Sequence, residues 1–225
     1  MIDKRFVRPL LTALFVLGVA TSTVATAGEA NWTGFYVGIN GGGDRGDTTW
    51  TNPKGHIDPG FTGGVLGGQF GAQYDINHLV LGAEFQGDGF FGNSGTVTCP
   101  NPAFQCTEHV TSEFMATAKV GYAFRDLLPY LKGGIARTYS EGSATPTTPG
   151  FDDAKWHDGL VWGGGLDYMI RPNLVLGAEY LHTNLDTQTY GTVCCAYDVS
   201  GHTDSFLVHL NWILSPREEH HVPLK

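Results

Sequence analysis

Residues 110–124 read Val110-Thr111-Ser112-Glu113-Phe114-Met115-Ala116-Thr117-Ala118-Lys119-Val120-Gly121-Tyr122-Ala123-Phe124. Every second residue, from Val110 through Phe114, Ala116, Ala118, Val120 and Tyr122 to Phe124, is apolar apart from Ser112. The alternate phase holds His109, Thr111, Glu113, Met115, Thr117, Lys119, Gly121 and Ala123. A period of two is that of a β-strand with one face apolar. The run outlasts an ordinary strand of about 5 to 6 residues. It suits a tilted strand crossing a bilayer, which takes about 9 to 11.

The pattern recurs on both sides of this stretch. Phe35, Val37 and Ile39 alternate with Tyr36, Gly38 and Asn40; Leu66, Phe70, Ala72 and Tyr74 with Gly67, Gln69, Gly71 and Gln73; Leu79, Leu81, Ala83 and Phe85 with Gly82, Glu84 and Gln86. Further on, Leu131, Ile135 and Tyr139 oppose Lys132, Gly134 and Thr138, and Leu160, Trp162, Leu166, Tyr168 and Ile170 oppose Gly163, Gly165 and Asp167. Leu174, Leu176, Ala178 and Tyr180 oppose Gly177 and Glu179, and Phe206, Val208, Leu210 and Trp212 oppose His209 and Asn211. The chain therefore reads as eight strands. Asp75 to His78, Arg125 to Leu128 and Arg171 to Asn173 read as tight turns, whereas 44–59, 92–108, 141–155 and 184–204 read as long polar loops. Short turns on one side, long loops on the other and an even strand count are the layout of a transmembrane barrel. The fold expected is all-β, an eight-stranded antiparallel up-and-down transmembrane β-barrel. A soluble barrel with an apolar cavity fits poorly, because the polar phase is Gly, Gln, Glu, Lys and Asn.

Composition agrees with this reading. Glycine takes 32 of the 225 positions, twice its usual share of about 7%, and without a Gly-X-Y period this favours turns and close strand packing. Residues 1–27 carry Lys4, Arg5 and Arg8, an apolar run from Leu10 to Ala20, and Ala25-Thr26-Ala27, the three parts of a secretory signal peptide. Residues 28–214 are the expected barrel and 215–225 a short tail. Net charge is −9 for the whole chain, and losing the basic leader makes it more negative, which makes the protein a poor partner for nucleic acid. Cys99 and Cys106 flank a polar, proline-containing stretch and, in an oxidising compartment, read as a loop staple. Four cysteines allow three connectivities, and the state of Cys194 and Cys195 stays open.

Three motifs carry a family resemblance: Asn31-Trp32-Thr33-Gly34-Phe35-Tyr36-Val37-Gly38; Lys119-Val120-Gly121-Tyr122-Ala123-Phe124 leading to Leu128-Pro129-Tyr130; and Trp162-Gly163-Gly164-Gly165-Leu166-Asp167-Tyr168 followed by Gly177-Ala178-Glu179-Tyr180-Leu181. In these the chain resembles the small outer-membrane β-barrel proteins of alphaproteobacteria, the immunogenic, porin-like surface proteins. The resemblance implies a structural surface antigen of the outer membrane, with porin or haemin-binding roles as alternatives. The expected partners are outer-membrane lipid and lipopolysaccharide, the barrel-assembly machinery, and a host or environmental ligand at the loops. Loops would be extracellular and both termini periplasmic. No cofactor and no metal are called for.

Inside such a barrel the inward phase collects Glu84, Asp88, Glu113, Lys119, Lys132, Asp167 and Glu179. Buried charges must be paired or solvated, so these residues read as a salt-bridged plug or, alternatively, as a narrow ion path. Lys132 and Asp167, about three residues up on adjacent strands, are expected to pair. Trp32, Phe124, Tyr130, Tyr168 and Trp212, near the short turns, read as an aromatic girdle. Catalysis is not expected. The nearest Ser/His/acid sets are His109 with Ser112 and Glu113, and His202 with Asp204 and Ser205.

Overall fold

In the computed structural model the described residues are 30–52, 55–99, 103, 105–145, 153–191 and 196–214. The expected signal peptide, the tail over 215–225 and Cys194 and Cys195 lie outside them. Ten strands follow in order: β1 (Gly34–Asn52), β2 (Gly55–Ile57), β3 (Gly60–Ile76), β4 (Leu79–Phe91), β5 (Ser94–Thr98), β6 (Gln105–Tyr122), β7 (Leu127–Thr145), β8 (Asp153–Arg171), β9 (Leu174–Gly191) and β10 (Ala196–Leu214). Eight long strands pair antiparallel with their neighbours. β1 closes the sheet on β10, from Phe35 opposite Leu214 to Thr51 opposite Asp198. The short β2 and β5 add to β1 and β6 at the loop end. Closure leaves none of the eight with a free edge, the condition for spanning hydrocarbon.

The strands run past the boundaries that alternation alone suggests. β1 continues to Asn52, β9 to Gly191, and β10 already begins at Ala196, through segments read from sequence as loops. Beyond the hydrocarbon nothing requires the outward face to be apolar, so the period-two signal fades while the hydrogen-bonded ladder continues. At the other end the turns are minimal. β3 and β4 are joined by Asn77 and His78, with φ of 51° and 74°, the paired positive values of a two-residue hairpin turn. The His78 backbone N–H donates to Asp75 Oδ1 at 2.8 Å.

Burial is inverted relative to a soluble protein. Phe35, Ile39, Leu131, Leu160 and Phe206 are each more than 60% exposed, while Glu84, Asp88, Glu113, Lys119, Lys132, Asp167 and Glu179 are buried. The lumen is stacked in layers. Trp32, Tyr36, Val80, Leu128, Met169, Val175 and Ile213 fill the turn end. Farther up, Phe61, Val65, Phe90, Val110, Met115, Val161, Leu181 and Leu207 form a second apolar layer. Trp50, Cys99, Cys106, Tyr190 and Val199 close the loop end.

Four residues depart from their expected faces. A β-bulge between Val110 and Ser112 inserts one residue and reverses the faces beyond it. Val110 therefore points inward, fully buried, with Glu108 beside it, and His109 leaves the inward face. Phe124, Tyr168 and Trp212 point outward at the turn end, but Trp32 and Tyr130 do not. Tyr130 shares its phase with Lys132. Trp32 precedes β1 and folds across the mouth of the lumen, its indole N–H donating to the Arg125 carbonyl at 3.0 Å.

Candidate functional site

Between the turn-end layer and the next apolar layer lies an ionic core. Lys132 Nζ is 2.7 Å from Glu84 Oε1 and 2.8 Å from Glu179 Oε2, and donates to Gln86 Oε1 at 3.1 Å. Lys119 Nζ is 2.7 Å from Asp167 Oδ2 and sits 4.1 Å from the centre of the Tyr130 ring. His209 Nε2 meets the other oxygen, Asp167 Oδ1, at 2.7 Å. The Tyr36 hydroxyl donates to Glu84 Oε2 and the Tyr130 hydroxyl to Glu179 Oε2, each at 2.8 Å. Asn40, Gln69 and Asn211 extend the network along the wall: the Asn40 amide donates to Gln69, and Gln69 to Asn211.

The pairing differs from the sequence expectation. Lys132 does not pair with Asp167; it bridges Glu84 and Glu179, and Asp167 belongs to Lys119 and His209. Lys132 faces Gly163 in the ladder and Asp167 faces Leu128, so the two are staggered along their strands, and the long lysine reaches across the lumen. Inward glycines make the room. A Cβ at Gly177 would lie 2.1 Å from His209 Nε2 and 2.3 Å from Asp167 Oδ1, and one at Gly71 would lie 2.5 Å from the Tyr36 hydroxyl.

Higher in the lumen the charges change character. Asp88 stands directly opposite Glu113 on β4 and β6. Glu113 accepts hydrogen bonds from Thr138 at 2.6 Å and Thr183 at 3.4 Å; Asp88 accepts one from Gln86 at 2.8 Å. Asp44 is held by the Asn93 amide. Glu108 accepts from Thr48 and, at 3.0 Å, from the Trp50 indole. Burial pushes the Glu108 carboxyl above its ordinary range, against those hydrogen bonds. Above it Tyr190 meets His157 at 2.7 Å and Ser140 at 2.9 Å and stacks on Trp50. Cys99 and Cys106 form a disulfide with Cα atoms 5.2 Å apart, and the bridge packs against Trp50, Tyr190 and Val199 as part of the cap. Asp44, Glu108 and His157 carry no strand signal in the sequence, because they lie in polar, loop-like segments or next to their edges. Tyr36, His209 and Gln69 carried the inward-phase signal without a charge to single them out.

The two Ser/His/acid sets are split by the sheet. Ser112 and Glu113 face opposite sides of β6. Ser205 points inward, while Asp204 and His202 lie on the outer face. There Asp204 Oδ1 accepts from the Tyr180 hydroxyl at 2.6 Å and lies 2.7 Å from His182 Nδ1. Neither set brings a serine to a histidine.

The chain matches the family described as outer membrane protein beta-barrel domain over residues 11–213. A 31 kDa outer-membrane immunogenic protein of Brucella melitensis is 32% identical over 191 residues, covering 72% of this chain and 75% of the relative. A 25 kDa outer-membrane immunogenic protein of Brucella ovis is 28% identical over 170 residues, covering 73% and 77%. Among solved structures, the outer membrane protein OprG from Pseudomonas aeruginosa aligns with 12% identity and a TM-score of 0.48, covering 80% of this chain and 97% of that one.

Proposed function

The chain belongs to the outer-membrane β-barrel family that includes the Brucella immunogenic proteins, and from that premise we propose that it is a sealed, non-catalytic envelope protein. It strengthens the outer membrane and presents its loops as a surface antigen. The observation carrying this reading is the filled lumen: an ionic core in which Lys132 and Lys119 are bound by Glu84, Glu179 and Asp167, with apolar layers on both sides of it and an aromatic, disulfide-bridged cap at the loop end. Eight strands enclose an interior that side chains can fill, and in the lower core they do so with complementary charge.

In this reading the three short turns and both chain ends face the periplasm, and the loop end, with its disulfide, faces outside. The exposed apolar band contacts lipid, and the Arg137–Asp158 pair and the His182–Asp204 pair on the outer wall meet the polar headgroups of lipopolysaccharide. Planar-bilayer recording on refolded protein tests the sealed lumen. The expected result is no steady opening; steady, cation-selective openings would replace this reading with a narrow porin.

A further inference from the structure

We propose that Asp88, Glu113 and Asn40 hold a hard divalent cation, of the calcium or magnesium class, in the upper lumen. Charge balance raises the question. The lower core pairs Glu84, Asp167 and Glu179 with Lys119 and Lys132, and Asp167 also meets His209. The upper lumen holds Asp44, Asp88, Glu108 and Glu113, all buried, and none of them forms an ion pair among the described residues. Their hydrogen bonds come only from neutral amides, hydroxyls and an indole. Buried carboxylates are held by a counter-charge or stay protonated. Two of them, Asp88 and Glu113, stand directly opposite on neighbouring strands, where like charges repel most.

A second observation points to a ligand at this pair. Asp88 Oδ1 and Asn40 Oδ1 are both buried without a hydrogen-bond partner, on residues 5% and 3% exposed. Both converge over Gly67, the residue between them in the ladder: a Cβ there would lie 1.9 Å from the first oxygen and 3.0 Å from the second. Asp88 Oδ1 itself takes up the space that a side chain at Gly67 would need, and Asn40 Oδ1 faces it across the glycine, so the free donors here are a carboxylate oxygen and an amide oxygen, with Glu113 next beyond Asp88 in the ladder. Oxygen donors without sulfur or imidazole select hard cations. A double positive charge neutralises the two carboxylates together, and water completes the coordination, as magnesium in particular prefers. Gln86 orients Asp88, while Thr138 and Thr183 orient Glu113, the supporting contacts that metal ligands need.

The test refolds the full chain into detergent in the presence of EDTA, calcium chloride or magnesium chloride, then washes the protein and measures bound metal and the denaturation midpoint. The proposal expects one retained ion per barrel and a midpoint raised by calcium or magnesium over EDTA. It also expects both effects to be lost in Asp88→Asn and Glu113→Gln and kept in Glu141→Gln, a variant at an exposed position of β7. Asp88→Asn folded in EDTA should equal or exceed the wild type in stability, since it removes one of two opposed charges. Wild-type protein that retains no metal and is indifferent to EDTA would overturn the proposal, leaving a shared proton between the two carboxylates. Asp88→Asn retaining as much metal as the wild type would overturn it as well. Bilayer conductance reads the sealed lumen separately, so failure of one reading is visible without the other.

Discussion

Lys119 and Lys132 stand directly opposite each other on β6 and β7, both buried inside the barrel. Opposed like charges weaken a strand pair, and this one is held by carboxylates arriving from three other strands. Glu84 on β4 and Glu179 on β9 take Lys132; Asp167 on β8 takes Lys119. The ionic core thereby ties β4, β6, β7, β8 and β9 together across the lumen, through contacts that backbone pairing of neighbours does not supply.

The two lysines should respond differently to removal. Lys132→Met leaves Glu84 and Glu179 without a cation and should destabilise the barrel by about 3 to 5 kcal/mol. Lys119→Met leaves Asp167 with His209 still 2.7 Å away, so this carboxylate keeps one of its two partners and the cost should be smaller. Adding Glu84→Gln and Glu179→Gln to Lys132→Met should recover much of the loss. Denaturant titrations in detergent on the four proteins measure this. Equal costs for the two lysines would contradict the observed pairing.

Face was legible in the sequence; partner was not. The inward phase named Glu84, Lys119, Lys132, Asp167 and Glu179 because parity along a strand requires no tertiary information. Which lysine meets which carboxylate depends on strand stagger around the barrel and on side chains long enough to cross it, and neither is written in a local pattern. The bulge at Val110 was invisible for a related reason: an inserted residue leaves composition unchanged and alters only the phase. Asp44 and Glu108 carry no such inward-phase signal, because polar strand extensions beyond the lipid look like loops.

Trp32 separates lumen packing from a lipid-facing girdle. It is fully buried with its N–H on the Arg125 carbonyl, so Trp32→Ala should cost about 3 to 5 kcal/mol, as large-to-small core changes do. Trp212, 54% exposed on the outer wall, has no such cavity to leave, and Trp212→Ala should cost clearly less in the same micelle. Unfolding midpoints for the two variants decide this, and a reversed order would return Trp32 to the girdle.

The Cys99–Cys106 bridge closes a short loop while packing into the loop-end cap. Chain-entropy arguments for a loop of this size give about 2 to 3 kcal/mol. The Cys99→Ser/Cys106→Ser double variant should lose roughly that amount, with the membrane-spanning strands keeping their β circular dichroism. Peptide mapping of non-reduced protein should recover the two cysteines on one linked fragment; free thiols there would refute the bridge.

Glu108 gives a pH dependence with a definite sign. It lies beyond the lipid-facing stretch of β6, opposite Gly95 of the loop strand β5, and burial raises its carboxyl above the ordinary value of 4.5. An acid whose folded value is raised binds its proton more tightly in the folded state, so it costs stability as pH rises above the unfolded value. Glu108→Gln keeps a side-chain oxygen for Thr48 and Trp50 and removes the charge. The variant should therefore be at least as stable as the wild type near pH 7, and this advantage should shrink towards zero as pH falls below about 4, where the wild-type carboxyl is protonated in both states. Unfolding midpoints of the two proteins across that range measure it. A variant that is weaker at neutral pH and equal in acid would show instead that the ionised carboxylate holds the cap together.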